Sequence, residues 1–166
     1  MITMLIAPLI LHFIADFLLQ SREMGKKKSS EFKWLYRHLR IQFGVMLVGM
    51  YPVILFQLVN KVSAGDLLLQ YPVFTLMTTA GVVSFIFAIL NTIVHGIIDW
   101  NIWKLYKLSA YARIKKEAKE GNFGLAWITE SGKNWQYWED HWFYATIGFD
   151  QLLHTVTIVL LAYWLS

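Results

Sequence analysis

Three pairs of a histidine and an aspartate stand out because each lies in a long apolar stretch. The two members of each pair are four residues apart: His12 with Asp16, His95 with Asp99, and Asp150 with His154. Residues i and i+4 share one face of an α-helix, so each pair can present an imidazole and a carboxylate to one point. With this composition, chance gives fewer than about one such pair by the same geometry. The pairs indicate metal binding or acid–base chemistry.

A divalent cation is the simplest partner for these side chains. A carboxylate at the centre of a bilayer costs about 2.5–3.5 kcal/mol, so it needs compensation inside a helix bundle. Imidazole and carboxylate together suit zinc first, with manganese or iron as alternatives, and one or two ions are expected because zinc takes about four ligands. The predicted metal ligands are His12, Asp16, His38, His95, Asp99, Asp150 and His154. The three aspartates among them are the predicted catalytic residues. Hydrogen-bonded pairs without a metal are the alternative.

Two further groups of residues have weaker predicted roles. Gln20 and Gln151 lie beside the pairs in sequence and can orient ligands or substrate. Basic residues between the first two apolar runs are predicted to attract an anionic headgroup: Lys26, Lys27, Lys28, Arg37 and Arg40.

The composition places these residues in a membrane protein. Hydrophobic residues make up 57% of the 166 residues and charged residues 16%, whereas soluble domains carry about 25% charged residues. The absence of cysteine excludes disulfides and thiolate ligands. The net charge of +4 is explained by basic loops next to a lipid bilayer, and no specific nucleic-acid partner is expected.

The apolar runs predict an all-α fold, a single membrane domain over residues 1–166 built as a four-helix transmembrane bundle. The predicted spans are about 2–20, 39–59, 72–106 and 142–165. Residues 21–38 and 107–141 are the predicted cytoplasmic segments, and the second is interfacial and partly helical because it combines a charged helical stretch with several tryptophans. Its expected surface-lying aromatic residues are Trp127, Trp135, Tyr137, Trp138 and Trp142.

The distribution of basic residues predicts the orientation. Seven lie between Arg22 and Arg40, one, Lys61, in the second connection, and seven between Lys104 and Lys133. The positive-inside rule then places both termini outside a cytoplasmic (inner) membrane. The fourth predicted span runs opposite to the first and third, and the order of histidine and aspartate in its pair is also reversed. In all three pairs the aspartate therefore lies nearer the cytoplasm, and the histidine lies about 6 Å deeper in the membrane. His38 joins them from the cytoplasmic entrance of helix 2.

Four motifs resemble the signature of a small membrane-protein family of bacteria and their phages, known as domain of unknown function 3307. They are His12-Phe-Ile-Ala-Asp16-Phe-Leu-Leu-Gln20, then His38, then His95-Gly-Ile-Ile-Asp99, and Phe149-Asp150-Gln151-Leu-Leu-His154. The resemblance covers nearly the whole chain. One departure is Trp100-Asn101 followed by Trp103-Lys104, where the resemblance leads us to expect a lysine nearer Asp99. The family implies no established activity.

Three functions are compatible with this sequence. The first is a metal-dependent hydrolase of a phosphoester or other ester at the cytoplasmic leaflet, acting on a small-molecule or lipid substrate. The second is a transporter or channel for metal ions or protons, which with four spans implies a homo-oligomer. The third is a non-catalytic protein whose ion staples the bundle while another surface binds a host or membrane partner.

Overall fold

Helices account for all regular secondary structure in the described part of the chain. The computed structural model describes residues 2–64, 72–119 and 141–165. Helix α1 covers Ile2–Phe13 and continues into a π-helical turn at Ile14–Leu18, α2 covers Arg22–Lys27, α3 covers Phe32–Ala64, α4 covers Val73–Lys119, and α5 covers His141–Trp164. Within these ranges there is no strand, and the predicted all-α fold class is confirmed.

Three of these helices are long and apolar enough to cross a membrane. They contain the segments Phe32–Ser63, Val73–Arg113 and His141–Trp164, whereas the apolar helix Ile2–Leu18 is shorter. The protein is therefore a helical membrane protein by the length and composition of its helices. Helix α3 begins ahead of its predicted span and α4 continues beyond its own, because a helix need not end where its apolar residues end. Of the aromatic residues predicted to lie at the surface, Trp127, Trp135, Tyr137 and Trp138 lie outside the described residues, whereas Trp142 lies in the first turn of α5 and is 56% exposed.

The four long helices form a ring with a shared interior. Helix α3 contacts α1 and α4, and α5 contacts the same two helices. Helices α1 and α4 therefore occupy opposite corners, and a side chain from either can reach the centre. The short helix α2 packs on α3 at one end of the bundle, which we call the α2 end.

Each long helix buries one stripe of residues spaced three or four apart, as expected for helices that share a core. The stripes are Met4, Pro8, His12 and Asp16; Leu35, His38, Gln42, Met46, Met50 and Ile54; Leu76, Ala80, Ser84, Ala88, Asn91, His95 and Asp99; and Asp150, His154, Ile158 and Ala162. Polar residues concentrate toward the α2 end of every stripe, and an apolar core fills the rest. The opposite faces carry exposed large apolar side chains such as Ile10, Val48 and Phe85, which suit contact with lipid.

Candidate metal centre

All seven predicted ligand residues lie together in the interior, at the α2 end of the bundle. None of these side chains belongs to a residue more than 4% exposed. The i, i+4 spacing therefore places each histidine and aspartate on the buried stripe of its helix. In the part of the chain that the structure describes, three groups of histidine and aspartate residues have atoms close enough to hold a metal ion, and they share members: His12, His95 and His154; Asp16, His38 and His95; and Asp99, Asp150 and His154.

Four atoms in this region form a tight group, which we call the four-atom cluster. They are Nε2 of His38, Nε2 of His95, Oδ1 of Asp16 and Oδ2 of Asp99. The two nitrogens lie 2.8 Å apart. Asp16 Oδ1 lies 3.0 Å from His38 Nε2 and 3.3 Å from His95 Nε2, and Asp99 Oδ2 lies 3.3 Å and 3.1 Å from the same two nitrogens. The cluster joins α3 and α4 to the π-helical turn after α1.

These distances fit ligands arranged around a cation. A tetrahedral ion with ligands at about 2.0–2.1 Å separates those ligands by about 3.3–3.4 Å, and the cluster is only slightly tighter. Asp16 Oδ1 and Asp99 Oδ2 are both buried and face imidazole nitrogens at 3.0–3.3 Å. The contact between two imidazole nitrogens needs a proton on one of them or a cation between them. The residues therefore suit a divalent metal ion.

The π-helical turn sets the position of Asp16. The Leu19 N–H donates to the Ile14 carbonyl at 3.0 Å, five residues back, and such single turns are frequent at functional sites because they insert one extra residue. Behind Asp16, its Oδ2 lies 3.6 Å from His12 Nε2, and His12 Nδ1 lies 3.2 Å from Gln42 Nε2. His12 therefore contacts the Asp16 oxygen that is not part of the cluster, and Gln42 holds the His12 ring in place.

The second oxygen of Asp99 faces a different set of groups. Lys28 Nζ lies 2.7 Å from Asp99 Oδ1, and Lys28 is only 5% exposed. Burial acts to lower the pKa of this ammonium, but the carboxylates of Asp99 and Asp16 outweigh it and raise the pKa above its ordinary value. His154 Nε2 lies 3.7 Å from Asp99 Oδ1 and 3.7 Å from Asp150 Oδ1. Lys28 therefore supplies a fixed positive charge beside the four-atom cluster.

Sequence reasoning grouped Lys28 with the headgroup-attracting lysines and did not single out Gln42 or Asn91. Their spacing could have identified Gln42 and Asn91 as site residues, since each lies four residues from a predicted ligand, toward the apolar core. The sequence does not distinguish Lys28 from its neighbours, because it follows Lys26 and Lys27 in one basic run. Only the direction of α2 turns its side chain into the bundle. Lys28 thus places an ammonium group beside Asp99, although the sequence directly after Asp99 contains no lysine before Lys104.

A cavity of about 700 Å³ opens beside the cluster and reaches Asp16 and Asp150. Both predicted glutamines line it: Gln151 Nε2 donates to Asp150 Oδ2 at 3.4 Å, and Gln20 Oε1 has no hydrogen-bond partner among the described residues. Of the predicted headgroup-binding residues, Lys26 and Lys28 line the cavity. Lys27, Arg37 and Arg40 lie elsewhere, against the rings of Trp34 or Tyr36.

A family model described as "Protein of unknown function (DUF3307)" matches residues 4–166. No curated protein and no solved structure matches the chain.

Proposed function

The chain belongs to the DUF3307 family of unknown function, and for this member we propose a membrane-embedded, metal-dependent hydrolase of a phosphoester or other ester. One divalent ion would be held by His38, His95, Asp16 and Asp99. Zinc is the first choice for two imidazoles and two carboxylates, with manganese or iron as alternatives.

The observation that carries this proposal is the convergence of four ligand atoms next to a cavity. Asp16 belongs to both, because its Oδ1 is part of the cluster and its side chain lines the cavity. An ion there would be within reach of a molecule in the cavity. A purely structural ion needs no such access, so the cavity favours catalysis.

The chemistry follows from which groups face the cavity. The bound ion would supply positive charge that polarises the scissile group and makes a water more acidic. Asp150 lies outside the four-atom cluster, lines the cavity, and its Oδ1 has no hydrogen-bond partner among the described residues. It accepts the proton of the attacking water as the new O–P bond forms and the ester P–O bond breaks. The same proton then passes to the leaving alkoxide, so the products are an alcohol and a phosphate.

A second candidate is the non-catalytic, metal-stapled protein. Four protein ligands around zinc are typical of closed structural sites, whereas catalytic zinc keeps a position for water. This candidate predicts that the ion raises thermal stability without turnover. The cluster geometry is equally compatible with it, and an activity measurement separates the two.

Transport has less support because the polar residues stop partway through the bundle. On the side of Gln42 and Asn91 away from the cluster, the interior is filled by Met46, Met50 and Phe87, all fully buried. The buried Ser84 hydroxyl in this region donates to its own helix at the Ala80 carbonyl. A polar path for an ion is therefore not evident among the described residues.

The test combines elemental analysis with turnover of a chromogenic phosphate ester by the purified protein in detergent. We expect about one ion per chain, and loss of both metal and activity in His38→Gln and Asp99→Asn. Asp150→Asn should retain the ion and lose at least about 100-fold in rate, since general-base catalysis contributes about 10²–10⁴-fold. Metal content without turnover of phosphate or carboxylate esters would instead favour the metal-stapled protein. A metal-free wild-type protein that takes up no added ion would contradict both.

A further inference from the structure

The cavity beside the four-atom cluster combines basic and acidic residues at its polar end. Arg22, Lys26 and Lys107 contribute positive charge against the carboxylates of Asp16 and Asp150, whereas Lys28 also lines the cavity but is already paired with Asp99. The polar end therefore has an excess of positive charge even before an ion is bound. Ammonium and guanidinium groups of this kind are the usual ligands of phosphate.

The cavity walls are apolar and aromatic. Trp103 and Tyr106 on α4 face Phe143 on α5, with ring centroids 5.7 Å and 6.0 Å from that of Phe143. Ile147 follows Phe143 by four residues on the same face of α5 and also lines the cavity. A soluble phosphate compound would leave these walls without a partner, whereas an apolar chain would cover them.

At Phe17 the cavity reaches the face of the bundle that suits lipid contact. Phe17 lines the cavity yet is 50% exposed, and its neighbours Leu18 and Leu19 are exposed as well. An exit beside these side chains leads into an apolar environment. A bound molecule can therefore keep its polar group among the lysines while its hydrocarbon part extends along Phe17.

We infer that the cavity binds a phosphate-bearing amphiphile, with its anionic phosphate against Arg22, Lys26 and Lys107 and its hydrocarbon chain leaving past Phe17. As a substrate class this rests on the proposed function, but binding itself can be measured without turnover. The volume of about 700 Å³ is within the about 300–1,000 Å³ of typical ligand pockets and accommodates a headgroup with the first part of a chain.

Native mass spectrometry of the protein in a nonionic detergent tests this inference. The probes are phosphatidylglycerol, an uncharged diacylglycerol of the same chain length, and water-soluble glycerol phosphate. We expect retention of phosphatidylglycerol in preference to both other probes. The Arg22→Gln/Lys26→Gln double variant should weaken that retention by about tenfold or more, because it removes two of the basic groups at the polar end that attract an anionic headgroup.

The matched control is the Lys33→Gln/Lys115→Gln double variant. It removes the same charge from two exposed residues that do not line the cavity, and it should retain phosphatidylglycerol like the wild type. Equal weakening in both double variants would overturn the inference, because the effect would then come from net charge. Glycerol phosphate retained as well as the lipid would also overturn it. Retained lipid supports the inference whether or not the protein hydrolyses it, and the assay with chromogenic esters tests the proposed hydrolase separately.

Discussion

At the scale of single residues, Asp99 has a different neighbour for each carboxylate oxygen. Oδ2 faces the two histidines of the four-atom cluster, and Oδ1 faces the buried Lys28 ammonium at 2.7 Å. One carboxylate can thus serve as a metal ligand and as the partner of a fixed cation. Lys28 takes a place on Asp99 that a second ion would otherwise compete for, which favours one ion per chain.

Replacing Lys28 tests this ion pair against its neighbour in sequence. Removal of one partner of a buried pair costs about 3–5 kcal/mol, so Lys28→Met should lower the melting temperature of the metal-free protein clearly. Lys27→Met is the control, because Lys27 pairs with Glu23 at 3.4 Å with both side chains about half exposed, and such pairs contribute about 1 kcal/mol or less. Similar melting temperatures for the two variants would contradict a buried Lys28–Asp99 pair.

Substitutions of His38 and of His12 should differ in how strongly they weaken metal affinity. His38 contributes an atom to the four-atom cluster, so His38→Gln is expected to lose stoichiometric metal binding. His12 lies behind Asp16, and substitution of such outer residues weakens affinity by about 10–100-fold. His12→Gln should therefore still bind, with weaker affinity in a titration against a chromophoric chelator. An equal loss in both variants would mean that His12 is itself a ligand.

At the scale of elements, close contact between α1 and α3 holds the two sides of the site together. A Cβ atom on Gly49 of α3 would lie 2.3 Å and 2.6 Å from the two methyl carbons of Leu11, the neighbour of His12. Gly44, also on α3, has no atom within 4 Å of such a Cβ. These two glycines therefore offer a matched comparison within one helix.

We expect Gly49→Ala to be less stable than Gly44→Ala by about 1 kcal/mol or more, because the Leu11 side chain must move to make room for the added methyl group. Gly44→Ala should be neutral or stabilising by up to about 1 kcal/mol, because alanine favours helix. Thermal unfolding in detergent measures both, and Leu11→Ala should restore part of the loss in the Gly49→Ala background. Equal behaviour of the two alanine variants would contradict the close approach of α1 and α3.

The four-residue spacing predicted which residues share a helix face, but the sequence did not predict two local features, the π-helical turn and the inward direction of Lys28. His12, His95 and Asp150 follow the four-residue spacing of their helices, so a periodic argument could place them on the buried face. The π-helical turn at Ile14–Leu18 departs from that period, and the types of its residues do not predict such a turn. The inward direction of Lys28 depends on where α2 begins, which the Ser21 side chain helps to fix by accepting the Met24 N–H. Tertiary packing decides both features.

At the scale of the whole molecule, orientation in the membrane remains a prediction from the basic residues. The chain has no cysteine, so one introduced cysteine reports one position. Ser30→Cys, between α2 and α3, should be protected from a membrane-impermeant maleimide in intact cells. Ser63→Cys, near the other end of α3, should react. The reverse pattern would invert the predicted topology, and disruption of the cells should make Ser30→Cys reactive.

The chain order of the four-atom cluster has a consequence for biosynthesis. Its residues are Asp16, His38, His95 and Asp99, all within the first two-thirds of the sequence, whereas α5 contributes Asp150 and His154 beside them. A nascent chain whose α1, α3 and α4 have entered the membrane already carries the complete cluster. For the proposed metal centre, we expect capture of the ion to precede insertion of α5, so that the last helix to be synthesised would close the cavity around an ion that is already bound.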